Sequence, residues 1–225
     1  MRWLAHMPVR ECPTVELWAP SAACGRGVVG AVCRFELMAS QNTVRRTALA
    51  LCVLQRGHVG RKTGSTGTEG EVDYLLRFSP LVRDALTARG IRVELLDADN
   101  VPNGLRCDAF VALHCDGSAD RSANGFSLGY PAHLGDTGAL ARCLRVSYGR
   151  AVGLRFRGYN CTANLSHYYA FRRVKSPGRA IIELGFLTNA SERRYLEEHM
   201  GAAAEAVAGG VAAFVAWCSK VGRSR

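Results

Sequence analysis

Two histidines and two glutamates occur where separate apolar segments end or where a helical pattern begins. His58, His114 and Glu183 each lie at or near the end of an apolar run, and Glu69 or Glu71 closes a glycine-rich loop. Two histidines and one glutamate form a standard ligand set for catalytic zinc, with the fourth position left for water. Such a metal lowers the pKa of the water and polarises a carbonyl, and a remaining carboxylate can carry a proton to a leaving nitrogen. These residue types predict a metal-dependent amide hydrolase.

A single histidine near the end of a strand is more often a hydrogen-bonded structural residue than a metal ligand. The combination is more informative, because the carboxyl ends of parallel strands lie at one edge of an α/β sheet. Side chains that are far apart in the sequence would converge at that edge, so the two imidazoles and the carboxylate favour a site.

Apolar patterning predicts strands and helices that alternate along the chain. Apolar runs predict strands at 47–55, 91–98, 109–117, 168–174 and 179–187, and helical spacing predicts helices at 71–90, 136–152, 191–199 and 201–218. This alternation is typical of right-handed crossovers in a mostly parallel sheet. We therefore predict an α/β fold, a single domain with a mostly parallel, twisted sheet flanked by helices.

Two features of this pattern have alternative interpretations. Pro80 interrupts the first helix, which either kinks there or gives way to a second helix with Ser79 as its N-cap. Tyr168 and Tyr169, in the fourth predicted strand, either line a groove for a peptide or belong to a strand whose alternate residues are buried.

The first part of the chain differs from the rest. Residues 1–45 mix Pro, Gly, Cys and Trp without a sustained period of 2 or 3.6. They are either a small irregular extension or a consequence of assigning the start codon too early. We expect the catalytic domain at residues 46–219.

The formal net charge of +10 favours polyanionic partners, among them nucleic acid, anionic lipid and acidic wall polymers. The basic residues are scattered and nearly all arginine, so we expect no nucleic-acid partner. No apolar run near the N-terminus has the length of a secretory signal, and none approaches the roughly 20 residues that span a membrane. We expect a monomer without a membrane segment, whose nine cysteines are mostly reduced thiols.

Four blocks of the sequence resemble, in order, motifs of the N-acetylmuramoyl-L-alanine amidase family known as Amidase_3. They are Gly57-His58-Val59-Gly60, the segment Asp108–Asp116 (DAFVALHCD), Asn124-Gly125-Phe126, and the segment Ala180–Asn189 (AIIELGFLTN). The resemblance extends from Thr47 to Cys218, which is most of the chain.

The resemblance implies that His58, Glu71 and His114 hold one Zn²⁺ per chain and that Glu183 is the general acid/base. Glu71 is preferred to Glu69 because the apolar helical pattern begins directly after it, in the register of the family. The resemblance also implies a sheet of about six strands. The implied reaction is cleavage of the amide between N-acetylmuramic acid and L-alanine in bacterial peptidoglycan.

The sequence departs from the family motifs around the first histidine. Gln55 stands where the motif has a leading Asp, Val59 replaces a glycine, and Lys62-Thr63-Gly64 replaces D-P-G. These departures affect the loop and its substrate contacts more than the metal ligands. Asp116 and Asn124 are candidates for orienting the ligands, a role that metal sites generally need.

The loop Arg56–Gly64 (RGHVGRKTG), with the Gly-Glu helix start that follows, is similar to amidase modules in endolysins of phages that infect actinobacteria. On that basis we expect a protein made in the host cytoplasm without a signal peptide, which acts on the cell wall after release. Two other functions stay open: a zinc peptidase that cuts within the peptide stem, and a catalytically inactive, basic module that binds the wall.

Overall fold

The computed structural model describes residues 49–62 and 64–222, within a compact unit that spans Arg46–Arg225. The expectations for residues 1–45 lie outside the described residues. The strands are β1 (Leu51–Arg56), β2 (Arg92–Asp97), β3 (Leu105–Arg106), β4 (Ala109–Asp116), β5 (Phe126–Gly129), β6 (Phe156–Tyr159), β7 (Val174–Lys175) and β8 (Arg179–Phe186). The helices are α1 (Glu71–Ala88), α2 (Ala139–Val152), α3 (Ala163–Ser166), α4 (Ala190–Glu198) and α5 (Met200–Lys220).

Six strands form the main sheet, in the order β2-β1-β4-β8-β5-β6. The first four in that order are parallel to one another. Strand β5 runs antiparallel to β8, and β6 runs parallel to β5. The predicted α/β fold with a mostly parallel, six-stranded sheet is confirmed. The sequence pattern missed β5 and β6 because each has only four residues, too few for a clear period.

Apolar layers cover both faces of this sheet. Helices α1, α2 and α5 pack on one face around Leu54, Leu113 and Ile182. The other face is covered by Leu165, Phe171 and their neighbours, which pack against alternate residues of the same strands. Coverage on both faces explains why seven of the eight residues of β4 are buried.

The predicted strand at 168–174 is wrong. A 3₁₀ turn occupies Tyr169–Arg172, and only Val174–Lys175 pair as a strand, with β3. The consecutive residues Ala170 and Phe171 are both buried. An extended strand would turn them to opposite faces, whereas the tight turn buries both beneath the sheet.

Helix α1 continues through Pro80, so the alternative of a second helix capped by Ser79 is wrong. Its buried face includes Leu75, Phe78, Val82 and Leu86, which recur at helical spacing. Burial of this face offsets the cost of about 3 kcal/mol that proline carries inside a helix. The helix ends before Gly90, whose φ of 73° is the left-handed conformation typical of a glycine at the C′ position.

Helix α5 is longer and more apolar than the sequence pattern indicated. An 18-residue stretch of its 21 residues has a mean hydropathy of 1.5, so length and composition alone would allow it to cross a membrane. Half of that stretch is buried inside the fold, and Val207, Val211 and Phe214 belong to the main core. Such a buried face is typical of a core helix in a globular domain. The absence of a membrane segment stays a prediction.

Candidate functional site

Three of the predicted site residues converge at one edge of the sheet. The possible ligand atoms of His58, Glu71 and His114 all lie within 4.8 Å of one another. Glu71 Oε1 lies 3.1 Å from His114 Nδ1 and 3.9 Å from His58 Nε2. The two imidazole rings meet edge to face, with their centroids 4.9 Å apart. Two nitrogens and a carboxylate in this arrangement could hold a metal ion.

Each ligand comes from a different element. His58 follows β1 by two residues, Glu71 is the first residue of α1, and His114 lies within β4. The backbone at His58 is left-handed, with φ of 58°, a conformation that is uncommon for residues other than glycine. This bend turns the histidine away from the strand direction and toward the start of α1.

Position 57 must be glycine because the ring of His114 lies directly against it. A Cβ atom at this position would lie 2.4 Å from the His114 ring. The Gly57 N–H also donates to the Leu113 carbonyl at 2.9 Å, which extends the pairing of β1 with β4. Any side chain larger than hydrogen would therefore displace His114 from its place beside Glu71.

Backbone amides hold the Glu71 carboxylate in place. Oε1 accepts from the Cys115 N–H at 3.1 Å, and Oε2 accepts from the Thr68 N–H at 3.0 Å. Burial raises the pKa of Glu71, but its contacts with His114 and His58 and the backbone N–H of Cys115 together outweigh burial and leave that pKa below its usual value. The side chain is buried and ionised, whereas Glu69 is exposed and stands outside the group.

The hydrogen bonds of His58 show how the site fits a cation. Nδ1 lies 2.7 Å from the Ser65 carbonyl oxygen, which can only accept, so Nδ1 carries the proton in the neutral ring. Nε2 then presents a lone pair toward the carboxylate oxygen of Glu71. A lone pair facing a carboxylate is unfavourable by itself and favourable when a cation lies between them, so the residues fit a metal ion.

Glu183 lies beside the ligand group on the neighbouring strand. It pairs in register with His114 across β4 and β8, and with Ser127 on β5. Its Oε2 is enclosed and has no hydrogen-bond partner among the described residues. Burial, reinforced by Asp116 and Glu71, raises the pKa of Glu183 well above its ordinary value of 4.5. A carboxyl group with a raised pKa is suited to take up and release a proton near neutral pH.

Other contacts to the ligands differ from those that the sequence suggested. Asp116 pairs with Arg157 at 3.2 Å, and the amide of Asn124 donates to the Ser122 carbonyl. In the described part of the chain, the hydrogen bonds of these two residues do not reach the ligand group. The side chain that does is Tyr168, whose hydroxyl lies 3.2 Å from His114 Nε2. The groove interpretation of 168–174 had included this residue, but no spacing rule connected it to His114.

The fold and the site define an α/β protein whose sheet edge carries side chains that could hold a metal ion, beside a carboxyl group with a raised pKa. Residues 52–213 match the N-acetylmuramoyl-L-alanine amidase family, Amidase_3, and the chain belongs to that family. The family resemblance of the sequence motifs is thereby confirmed. Among curated proteins no match to the sequence is found.

Solved amidase structures share this fold. The CwlD amidase from Clostridioides difficile, in complex with the GerS lipoprotein, aligns with a TM-score of 0.62 and 19% identity, over 75% of this chain and 99% of that chain. The Ami1 amidase from Mycobacterium smegmatis gives 0.59 and 20% identity, over 75% and 97%. The catalytic domain of the CD27L endolysin targeting Clostridia difficile gives 0.55 and 18% identity, over 72% and 96%.

Proposed function

We propose that this chain is a zinc-dependent hydrolase that cleaves the amide between N-acetylmuramic acid and L-alanine in bacterial peptidoglycan. The observation that carries the proposal is the convergence of His58, Glu71 and His114 beside Glu183 in a chain of the amidase family. A structural role for the two histidines would not need a carboxylate aimed at both of their free nitrogens.

In this proposal His58 Nε2, His114 Nδ1 and a Glu71 oxygen hold one Zn²⁺. Bound there, zinc would lower the pKa of a water molecule and polarise the scissile carbonyl. Backbone donors at Thr68 and Cys115 keep the Glu71 carboxylate oriented without a change in its charge.

Glu183 is the proposed general acid/base. It accepts a proton from the water that attacks the carbonyl carbon, and it donates that proton to the nitrogen of L-alanine as the carbon–nitrogen bond breaks. One water is consumed, and the products are a lactyl carboxylic acid on the sugar and a free amine on the peptide. The raised pKa of Glu183 favours the second half of this transfer, because it stabilises the protonated form that donates to the nitrogen.

Digestion of purified peptidoglycan, followed by mass analysis of the products, tests the reaction. Wild type is expected to release peptide stems with a new L-alanine amine, and chelation should abolish release until zinc is restored. Glu183→Gln should bind zinc normally and release no stems. Cleavage within the stem would instead indicate a peptidase, and zinc binding without any cleavage would indicate a wall-binding module.

Glu69 and Glu71 provide a matched pair for the metal site. Both are glutamates in the same loop-to-helix junction, but only Glu71 joins the histidines. Glu71→Gln should lower the bound zinc per chain and abolish activity, whereas Glu69→Gln should retain both. Loss of zinc in Glu69→Gln but not in Glu71→Gln would show that Glu69, and not Glu71, holds the metal.

We further propose that the enzyme is a phage endolysin that accumulates in the host cytoplasm and reaches the wall after the membrane opens. The loop Arg56–Gly64 supports this role through its similarity to endolysin modules, together with the arginine-rich composition. Expression inside an actinobacterial host should cause lysis only when a membrane-permeabilising agent is added. Lysis without that agent would show that the enzyme does not depend on membrane opening.

A further inference from the structure

A chain of hydrogen bonds connects the ligand His114 to the backbone on the far side of β1. His114 Nε2 lies 3.2 Å from the Tyr168 hydroxyl, which donates to Gln55 Oε1 at 2.8 Å. Gln55 Nε2 donates in turn to the Ala98 carbonyl and to the Tyr169 hydroxyl, both at 2.8 Å. Gln55 is fully buried in β1, so its amide depends on these partners.

The direction of every hydrogen bond in this network follows from the carbonyl group at its end. The Ala98 carbonyl can only accept, so the NH₂ group of Gln55 must face it. The amide oxygen of Gln55 therefore faces Tyr168, which gives its single hydrogen to that oxygen. Tyr168 is left with lone pairs only and therefore favours a neutral His114 ring that donates from Nε2, whereas the Glu71 carboxylate favours a proton on Nδ1 until a cation takes the place of that proton.

The consequence for His114 is a preferred tautomer when a cation lies between the ring and Glu71. With the proton on Nε2, Nδ1 carries the lone pair, and Nδ1 is the nitrogen that lies 3.1 Å from Glu71 Oε1. His58 reaches the equivalent state through the Ser65 carbonyl, with its lone pair on Nε2. Both imidazoles thus direct lone pairs toward the same carboxylate, although a different partner fixes each ring.

We propose that Tyr168 and Gln55 are positioning residues that hold His114 as the Nε2–H tautomer and so direct its Nδ1 to the metal. The inference rests on the proposed metal site and is independent of which bond the enzyme cleaves. Gln55 stands where the family motif has a leading Asp, so the amide at this position is a departure of this chain.

A purely structural role for the same residues predicts something different. A buried glutamine and tyrosine could be retained only to satisfy each other, in which case their loss would lower stability and leave the histidine unaffected. The tautomer of His114 and the affinity for zinc distinguish the two roles, because neither needs to change when only stability is lost.

Tyr168→Phe is the direct test, and Tyr169→Phe is its matched control. Both changes remove one phenol hydroxyl that bonds to Gln55, but only Tyr168 touches His114. In the full, metal-free chain, nitrogen and carbon chemical shifts of the histidine ring should report a larger share of Nε2–H for His114 in wild type and Tyr169→Phe than in Tyr168→Phe. Tyr168→Phe should shift the ring toward the Nδ1–H form and weaken zinc binding by about 10–100-fold in chelator competition.

Gln55→Met tests the end of the hydrogen-bond network that lies farther from His114, without changing Tyr168. The thioether has a similar length and no hydrogen to give to Ala98, so Tyr168 becomes free to donate its hydrogen to His114 Nε2. The Nδ1–H tautomer should then increase, and zinc affinity should fall as in Tyr168→Phe. Thermal unfolding of each variant verifies that it is folded at the temperature of these measurements.

The outcomes separate this inference from the proposed reaction. Unchanged tautomer populations of His114 and unchanged zinc affinity in Tyr168→Phe would overturn the positioning role. Tautomer and affinity changes as expected, in an enzyme that cuts a bond other than the muramoyl amide, would support the positioning role and reject only the proposed reaction.

Discussion

Replacing Glu183 with Gln should remove activity and at the same time stabilise the metal-free protein. The carboxyl group has a pKa raised by burial, and next by Asp116 and Glu71, so folding disfavours its ionised form. A carboxyl group with a raised folded-state pKa destabilises the fold once the pH exceeds its unfolded value of 4.5. The cost grows as the pH rises toward the folded-state pKa and is absent below 4.5. An amide has the same shape and no such charge.

The magnitude follows from the unpartnered oxygen. Oε2 of Glu183 is enclosed and lacks a hydrogen bond within the described residues, and a buried polar atom in that state costs about 1–3 kcal/mol, more when it is charged. The amide leaves a neutral atom instead of a charged one without a partner, so we expect Glu183→Gln to raise the free energy of unfolding by about 2 kcal/mol at pH 8. For a domain of this size that corresponds to an increase of about 4–8 °C in Tm.

Thermal and urea unfolding at pH 8 and pH 4, in the presence of a chelator, measure this effect. The gain in free energy of unfolding of Glu183→Gln over wild type should be largest at pH 8 and should shrink at pH 4. Glu192→Gln is the control, because Glu192 accepts backbone N–H groups of Gly125 and Phe186 at 2.7 and 2.6 Å. An amide there would oppose one of these donors, so the control should lose stability. A Glu183→Gln variant that is less stable than wild type at pH 8 would refute the reasoning.

Three further predictions concern the loop, a helix cap and the surface. Gly67→Ala should weaken zinc binding about tenfold or more, because its Cβ would lie 2.6 Å from Glu71 Oε2. Gly64→Ala has a similar positive φ with open space around it and should bind normally in the same chelator competition; equal loss in both would reject the steric explanation. Asn189→Ala should lower the free energy of unfolding in urea by about 1 kcal/mol, since the Asn189 side chain caps α4, whereas Ser191→Ala should lower it little. A larger loss in Ser191→Ala than in Asn189→Ala would show that Asn189 is not the cap. Binding of the inactive enzyme to isolated walls should weaken as salt increases, because the net charge of +10 attracts anionic wall polymers; pelleting that is indifferent to ionic strength would contradict this.

Much of the fold was predictable because its long elements carry clear periods. The continuous apolar run of β4 and the amphipathic pattern of α1 predicted both elements close to their observed bounds. Short elements carry too few residues for a period, which is why β5 and β6 were missed. The turn at Tyr169–Arg172 was mistaken for a strand because its aromatic residues suit a strand equally well.

The ligand candidates could be predicted because they follow local rules. His58 follows a buried strand and His114 lies near the end of another, and parallel strands bring such positions to one edge. The choice of Glu71 over Glu69 followed the start of the helical pattern, and the structure places that residue with the histidines. Those positions depend on the direction of strands and the start of a helix, both of which are encoded within a few residues.

The sequence by itself determined the long strands and helices, the family motifs and the residues that could hold a metal. Only the tertiary structure decided which groups orient those ligands. Tyr168 lies 113 residues from Gln55 and 54 from His114, and no period or motif connects such positions. Their contact arises because the 3₁₀ turn packs under the sheet beside β1 and β4. Hydrogen bonds of this kind depend on the packing of several elements at once, so they become visible only when the chain is folded.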